Sequence, residues 1–194
     1  SNQNPATYVQ SAPEKVYEYI EDDLLYACDI LPYATDDQYR ESNDYRFSKG
    51  AALGLLTKVY ATWAGYPVKD ESKWEAAAKT ARILVESGKH GLLKDYEQLW
   101  KNTCNGTWDP TESLIEISFY SPTVSGNSDP VGRIGKWNGV KTTAIAGVRG
   151  SCAANVKVVH TFVLDWREDV SDIRRDLSIA NYQYTDTKKS LWVA

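Results

Sequence analysis

The first hundred residues carry apolar positions at helical spacing, interrupted by proline and glycine. Pro13 suits the first turn of a helix, and Glu14 follows near the positive end of the helix dipole. The pattern therefore predicts a first helix that begins at Pro13 and ends before Pro32. Its expected apolar stripe consists of Val16, Tyr19/Ile20, Leu24 and Ala27.

A second helix is predicted within "RFSKGAALGLLTKVYATWAGYP", which runs from Arg46 to Pro67. Ser48 can cap its start, and the Gly-Tyr-Pro sequence at its end stops it. Gly50 and Gly54 lie among alanines near the beginning, where they allow a neighbouring helix to approach closely at some cost in helix propensity. The expected buried stripe consists of Leu53, Leu56, Tyr60 and Trp63.

Two further helices follow at short intervals. Ser72 and Glu75 form a capping-box pattern before "WEAAAKTARILVES", and Gly88 supplies a stop. A shorter helix is predicted from Asp95 to Lys101. Antiparallel helix pairs with short connections are typical of TPR-like arrays, although the strict TPR consensus is absent. Apolar faces of these helices predict core positions for Trp63, Trp74, Ala77/Ala78, Ala81, Val85 and Trp100.

The second half has a different pattern. "SLIEISFY" alternates as a strand would over 113–120, whereas 121–154 is rich in Gly, Ser, Thr, Pro and Asn. "VKVVHTFVLDW" is compatible with a helix or a strand, and a strand is predicted from Leu177 to Tyr184. The fold class predicted is mainly α: a TPR-like α-α superhelix over 1–102, with an irregular, loop-rich segment containing a few short strands over 103–194 of the same domain.

Composition excludes several function classes. The chain of 194 residues has a net charge of -4 and no basic stripe, so nucleic-acid binding is not predicted. No apolar run approaches the roughly 18 residues of a membrane helix. Methionine is absent, so we expect a processed or trimmed piece whose missing targeting signal says nothing about location. Neither cofactor nor metal site is predicted, because the two histidines stand alone and the three cysteines have no CxxC spacing; a Cys104–Cys152 bridge is left open.

The order of these motifs resembles the SusD/RagB family of outer-membrane nutrient-binding lipoproteins. Five pieces carry the resemblance and cover most of the chain: "VYEYIEDDLLYACDILP", "RFSKGAALGLLTKVYATWAGYP", "WEAAAKTARILVESGKHGLLKDYEQLW", "ESLIEISF" and "DWREDVSDIRRDLSIANYQY". What matches looks like the middle portion of the family pattern. The lipidated N-terminal cysteine region and the C-terminal helices of the family are not in this sequence.

The resemblance implies a protein that is not an enzyme. It would sit on the outer membrane at the cell surface of a Bacteroidetes-type bacterium, held by a lipid in the full-length protein. It would bind oligosaccharides or polysaccharides (in the RagB branch, peptides) and deliver them to a SusC-like TonB-dependent transporter. The family's ligand residues lie in variable loops, so none is carried over to a position here.

Candidate ligand residues come from the chemistry that sugars require. Pyranose faces stack on flat aromatic rings, and hydroxyl groups need planar polar partners, because a buried unpaired hydroxyl is costly. The chain has 7 Trp and 13 Tyr but 3 Phe, and "GRIGKWNG" places Arg133, Trp137 and Asn138 together. Trp108 and Tyr120 are the other candidates. The competing interpretation is that each aromatic ring anchors its loop to the core.

Two other functions compete with this interpretation. In "DWREDVSDIRRD" every carboxylate has a nearby arginine, which favours ionised, structural pairing over the protonated acid that a glycoside hydrolase needs. The other rival is a TPR-like scaffold whose partner is only another protein. Exposure of Trp137 and Trp108 favours ligand binding, whereas burial of both favours the scaffold.

Overall fold

The computed structural model of the chain describes residues 9–38, 40–41, 44–117, 137–145, 150–167, 171–185 and 188–191. The chain divides into two compact units, Ser1–Ile117 and Ser118–Ala194. Within them lie α1 (Pro13–Ile30), α2 (Lys49–Ala64), α3 (Lys73–Glu86), α4 (Tyr96–Cys104), α5 (His160–Arg167), α6 (Arg174–Ser178), β1 (Tyr182–Thr185) and β2 (Lys188–Leu191). The described fold is therefore mainly α, as predicted. The TPR-like arrangement and the 1–102/103–194 division stay predictions.

Local signals explain most of the helix ends in the first unit. Pro13 opens α1, and the Ser48 hydroxyl accepts a hydrogen bond from Ala51 N at the start of α2. At α4, the Asp95 carboxylate accepts from the backbone N–H groups of residues 97 and 98. The capping box predicted for α3 is wrong: Ser72 makes no cap, and its hydroxyl donates instead to the Asp70 carboxylate at 2.5 Å.

Helix α2 is the centre of the first unit, because it packs against both α1 and α3. The Tyr17 ring of α1 stacks on the Trp63 ring of α2 with a centroid distance of 5.0 Å. Burying such rings contributes most of the apolar area in a small core. The buried cluster consists of Leu24, Leu56, Tyr60, Trp63 and Ala77.

A polar cluster joins the same three helices. The Glu21 carboxylate of α1 accepts a hydrogen bond from Tyr60 Oη at 2.7 Å and from Lys73 Nζ at 3.1 Å. The ammonium group of Lys73 also lies 3.8 Å from the centre of the Trp63 ring. Burial raises the pKa of Tyr60, and its hydrogen bond to Glu21 raises it further. The tyrosine therefore remains a hydrogen-bond donor throughout the neutral range.

The buried faces of α1 and α3 differ from the predicted stripes. In α1 the inward residues include Tyr17, Leu24 and Cys28, whereas Val16 and Tyr19 are exposed. In α3 Ala77 is buried as predicted, together with Thr80, and these small side chains let the helix lie close to α2. The core positions predicted for Trp74, Val85 and Trp100 are therefore wrong: all three are exposed, Trp74 by 53%.

Gly50 and Gly54 do allow close approach, and the side chains that lie nearest to them come from the segment after α3, with Leu84 of α3 a little farther from Gly54. A Cβ atom at Gly50 would overlap His90 Nε2, and one at Gly54 would lie 2.7 Å from Leu114 Cδ1. Pro110 O accepts a hydrogen bond from His90 Nδ1 at 2.9 Å. Because these two glycines have no side chain, the segment that follows α3 can pack directly against the start of α2.

The second unit contains a short antiparallel hairpin in which Tyr182 pairs with Leu191 and Thr185 with Lys188. The run left open between helix and strand forms α5, and the strand predicted from Leu177 begins later, at Tyr182. The predicted strand over 113–120 is not seen in its described part, 113–117. Cys28, Cys104 and Cys152 all carry thiols. Among the described helices, none combines the length and apolar character needed to cross a membrane.

Candidate functional site

Trp137 and Asn138 have helical backbone in the second unit, and backbone hydrogen bonds from Trp137 and from the residues after it reach other segments of this unit. Trp137 O accepts from Asn155 N at 2.6 Å. Thr142 and Cys152 exchange two hydrogen bonds of 3.0 Å, and Lys141 O accepts from the backbone N–H of residue 184 in β1. The irregular segment is thus tied to the hairpin by its backbone.

The exposure of the Trp137 ring fits the chemistry expected of a stacking platform. Trp137 is 42% exposed, and Asn138 beside it is exposed as well. A partly exposed tryptophan offers apolar surface to a ligand, and an adjacent amide can both donate and accept hydrogen bonds. Arg133 and Tyr120, the other candidates for this loop, lie outside the described residues.

Trp108 belongs to the first unit, where it is 8% exposed. Its ring packs against that of Tyr45 with a centroid distance of 5.7 Å, and the Arg40 guanidinium lies 5.5 Å from its centre. Arg40 also donates to the carbonyl oxygens of residues 44 and 46, so it ties the loop before α2 to this tryptophan. The structure therefore places Trp108 as an anchor of that loop. A ligand could stack on it only if the loop moved away.

Two carboxylates of "DWREDVSDIRRD" are paired with arginines, Asp172 with Arg174 and Asp176 with Arg175. Asp172 accepts from Arg174 Nη2 at 2.6 Å and from Trp166 Nε1 at 3.0 Å. Hydrogen bonds from Arg174 hold the pKa of Asp172 well below its usual range, and Trp166 lowers it further. The pKa of Asp176 is lowered in the same way by Arg175. The predicted structural pairing is confirmed for these two carboxylates, which are ionised and cannot act as acid catalysts.

The acidic loop before α2 is also neutralised by basic side chains. Asp36 pairs with Lys89 at 2.7 Å, and Asp44 pairs with Arg46 at 2.6 Å. Hydrogen bonds from Arg46 lower the pKa of Asp44 to about 2. Within the described ranges, no group of three or more His, Cys, Asp or Glu side chains is arranged to hold a metal ion.

A small open cleft lies in the second unit, between α5 and the segment that leads into β1. Its volume is about 230 Å³, and it is lined by Val163, Arg175, Asp176, Ile179 and Asn181. The sequence indicated the pairing of Arg175 and Asp176 but not the cleft. Residues 163 and 179 lie 16 positions apart, and no spacing rule brings them together. The signal in the sequence that could have indicated this polar lining is "RRDLSIAN", where an Arg-Asp pair is followed by an asparagine.

Comparison with known proteins gives one informative match. No family model matches the chain. The chain is 26% identical over 136 residues to a SusD-like protein of Bacteroides ovatus, and the match covers 64% of this chain and 24% of the relative. The chain thus spans about a quarter of the length of the curated relative it matches. The resemblance to SusD-like proteins that its motifs indicate is confirmed by this similarity.

Proposed function

We propose that this chain forms part of a non-catalytic protein that captures oligosaccharides at the cell surface. The single observation that carries the proposal is the partly exposed Trp137 with Asn138 beside it, in a segment held by backbone hydrogen bonds. The similarity to a SusD-like protein supports the same class of function. No bond of the ligand is broken.

Capture would use two kinds of contact. One face of a sugar ring stacks on Trp137, and the Asn138 amide exchanges hydrogen bonds with its hydroxyls. Arg133 and Tyr120 are proposed as further contacts on the same loop. Trp108 is proposed only for a state in which the loop containing Arg40 and Tyr45 uncovers it.

The location and partner follow from the family resemblance and are part of the proposal. The full-length protein would be anchored by lipid at its N-terminus to the outer membrane, facing the exterior. It would hand its ligand to a SusC-like TonB-dependent transporter. Unit 1, with its packed helices α1 to α3, is the proposed TPR-like scaffold for that contact.

A second candidate is a scaffold that binds only proteins, or a RagB-type protein that binds peptides. The exposed Trp74 and Val85 side chains on α3 favour it, because exposed aromatic and aliphatic side chains are common in protein interfaces. Trp137 is equally compatible with a peptide side chain.

Isothermal titration calorimetry separates these candidates. The chain is titrated with a panel of soluble neutral polysaccharides, and in parallel with a mixture of tryptic peptides. Saturable heat with at least one polysaccharide, and none with peptides, is the expected result. Saturable heat with peptides alone would favour peptide binding over sugar binding. No heat of binding with either ligand would favour the protein scaffold.

A further inference from the structure

We propose that the cleft lined by Val163, Arg175, Asp176, Ile179 and Asn181 is a second sugar subsite, which takes one neutral, hydroxyl-bearing ring. The ligand class rests on the proposed function. The site itself is separate from Trp137, and it is polar where the Trp137 platform is aromatic.

The size of the cleft limits the ligand. Pockets for drug-sized molecules occupy roughly 300–1,000 Å³. A cleft of about 230 Å³ is smaller and suits a group the size of a single sugar ring. Val163 and Ile179 supply aliphatic walls, against which the C–H face of a ring can pack without losing hydrogen bonds.

The polar side of the cleft is preorganised. Arg175 Nε donates to Asp176 Oδ1 at 2.8 Å, and Arg175 Nη2 donates to Oδ2 at 3.3 Å, so the two planar groups lie side by side. Arg175 is 22% exposed and therefore held, whereas the Asp176 carboxylate is 80% exposed. An ionised carboxylate has about four acceptor sites, of which Arg175 occupies two. Asp176 can thus accept from neighbouring hydroxyls.

Charge balance favours a neutral ligand. Among the described residues that line the cleft, the guanidinium and the carboxylate cancel each other, so this lining carries no net charge to attract an anion or a cation. Asn181 adds an amide that both donates and accepts hydrogen bonds. Paired acceptors and donors beside an aliphatic wall are the groups that adjacent hydroxyls on a sugar ring require.

The cleft and Trp137 lie on the same compact unit, and the chain that connects them sets an upper limit on their separation. Asn181 is three residues before the N–H of residue 184 that bonds to Lys141 O, and Lys141 is four residues after Trp137. Seven residue steps span at most about 25 Å, and hydrogen-bonded strands lie about 5 Å apart. The Cα atoms of Trp137 and Asn181 therefore lie within about 30 Å of each other.

Saturation-transfer NMR with a panel of methyl hexopyranosides tests the proposal on the whole chain. Val163→Trp fills the cleft and should abolish the signal, whereas Leu164→Trp adds the same side chain at the next helical position, outside the cleft. Asn181→Ala removes one amide and should weaken binding roughly three- to tenfold. Thermal unfolding of each variant checks the fold, and Asn181→Ala provides the test if Val163→Trp does not fold.

The outcomes separate this inference from the proposed function. The inference is overturned if no methyl hexopyranoside gives a signal, if a folded Val163→Trp keeps the signal, if Asn181→Ala binds as tightly as the wild type, or if a neutral dipeptide competes for the cleft. Polysaccharide binding that depends on Trp137 but is unchanged in the cleft variants refutes the subsite and leaves the proposed function standing. Failure of every polysaccharide and every methyl hexopyranoside removes both.

Discussion

Replacing Gly50 by alanine tests how the segment after α3 is docked. A Cβ atom there would overlap His90 Nε2 and lie 2.8 Å from Cε1, so the imidazole ring must move. His90 is held by its hydrogen bond to Pro110 O and by the Tyr33 ring, with a centroid distance of 5.8 Å. Movement therefore breaks contacts on both sides of the ring.

The expected change in the free energy of unfolding combines two destabilising effects and one stabilising effect. Overpacking costs about 1–3 kcal/mol, and loss of one hydrogen bond costs about 0.5–1.5 kcal/mol. Alanine in a helix returns about 0.5–1 kcal/mol relative to glycine. We expect Gly50→Ala to lower the free energy of unfolding by roughly 0.5–4 kcal/mol, with a central value of about 2 kcal/mol. In a His90→Ala background the overlap is gone, so the same substitution should raise stability by about 0.5–1 kcal/mol.

Urea unfolding followed by circular dichroism measures all four members of this double-mutant cycle. The prediction is a change of sign between the two backgrounds. Gly91→Ala is the control, because nothing lies within 4 Å of a Cβ atom at that position. Equal destabilisation in both backgrounds, or stabilisation in both, would contradict the docking of His90 on Gly50.

Two further perturbations test other parts of the structure. Lys73→Ala should lower the free energy of unfolding by about 1.5–3 kcal/mol in urea melts, because it leaves the Glu21 carboxylate, 22% exposed, without its cation. Lys15→Ala removes an exposed ion pair and should cause no measurable change. Equal losses of stability in the two variants would refute the role of the polar cluster around Glu21. The folded pKa of Asp44, about 2, lies below its ordinary 3.8, so its contribution is present above pH 3.8 and is lost as the pH falls towards 2. The melting temperature of Asp44→Asn should therefore fall less steeply over that pH interval than that of the wild type. The same pH dependence in both proteins would contradict the pairing with Arg46.

Helix boundaries were predictable because their signals are local. Pro13, the Gly-Tyr-Pro stop after α2 and the Asp95 cap each act within a few residues, and the structure places helix ends beside them. The face that each helix buries was harder to predict. In α3, tryptophan was expected inside, yet Ala77 and Thr80 face α2 because small side chains allow a closer approach than an indole ring would.

The candidate site shows the same limit. Trp108 lies in a polar, glycine-containing stretch, and the sequence alone could not show that Arg40 and Tyr45, more than 60 positions earlier, would cover it. Trp137 also lies in a polar, glycine-containing stretch, yet it is 42% exposed. The cleft containing Arg175 and Asn181 depends on α5 packing beside a later segment, which no local pattern encodes.

Tryptophan fluorescence during titration with soluble polysaccharides tests the central proposal most directly. The wild type is compared with Trp137→Ala and with Trp74→Ala, whose indole ring is similarly exposed but lies on α3 in the other unit. The account predicts a saturable change for at least one polysaccharide that is lost in Trp137→Ala and retained in Trp74→Ala. A saturable change that survives in Trp137→Ala, or no change with any polysaccharide, would contradict it.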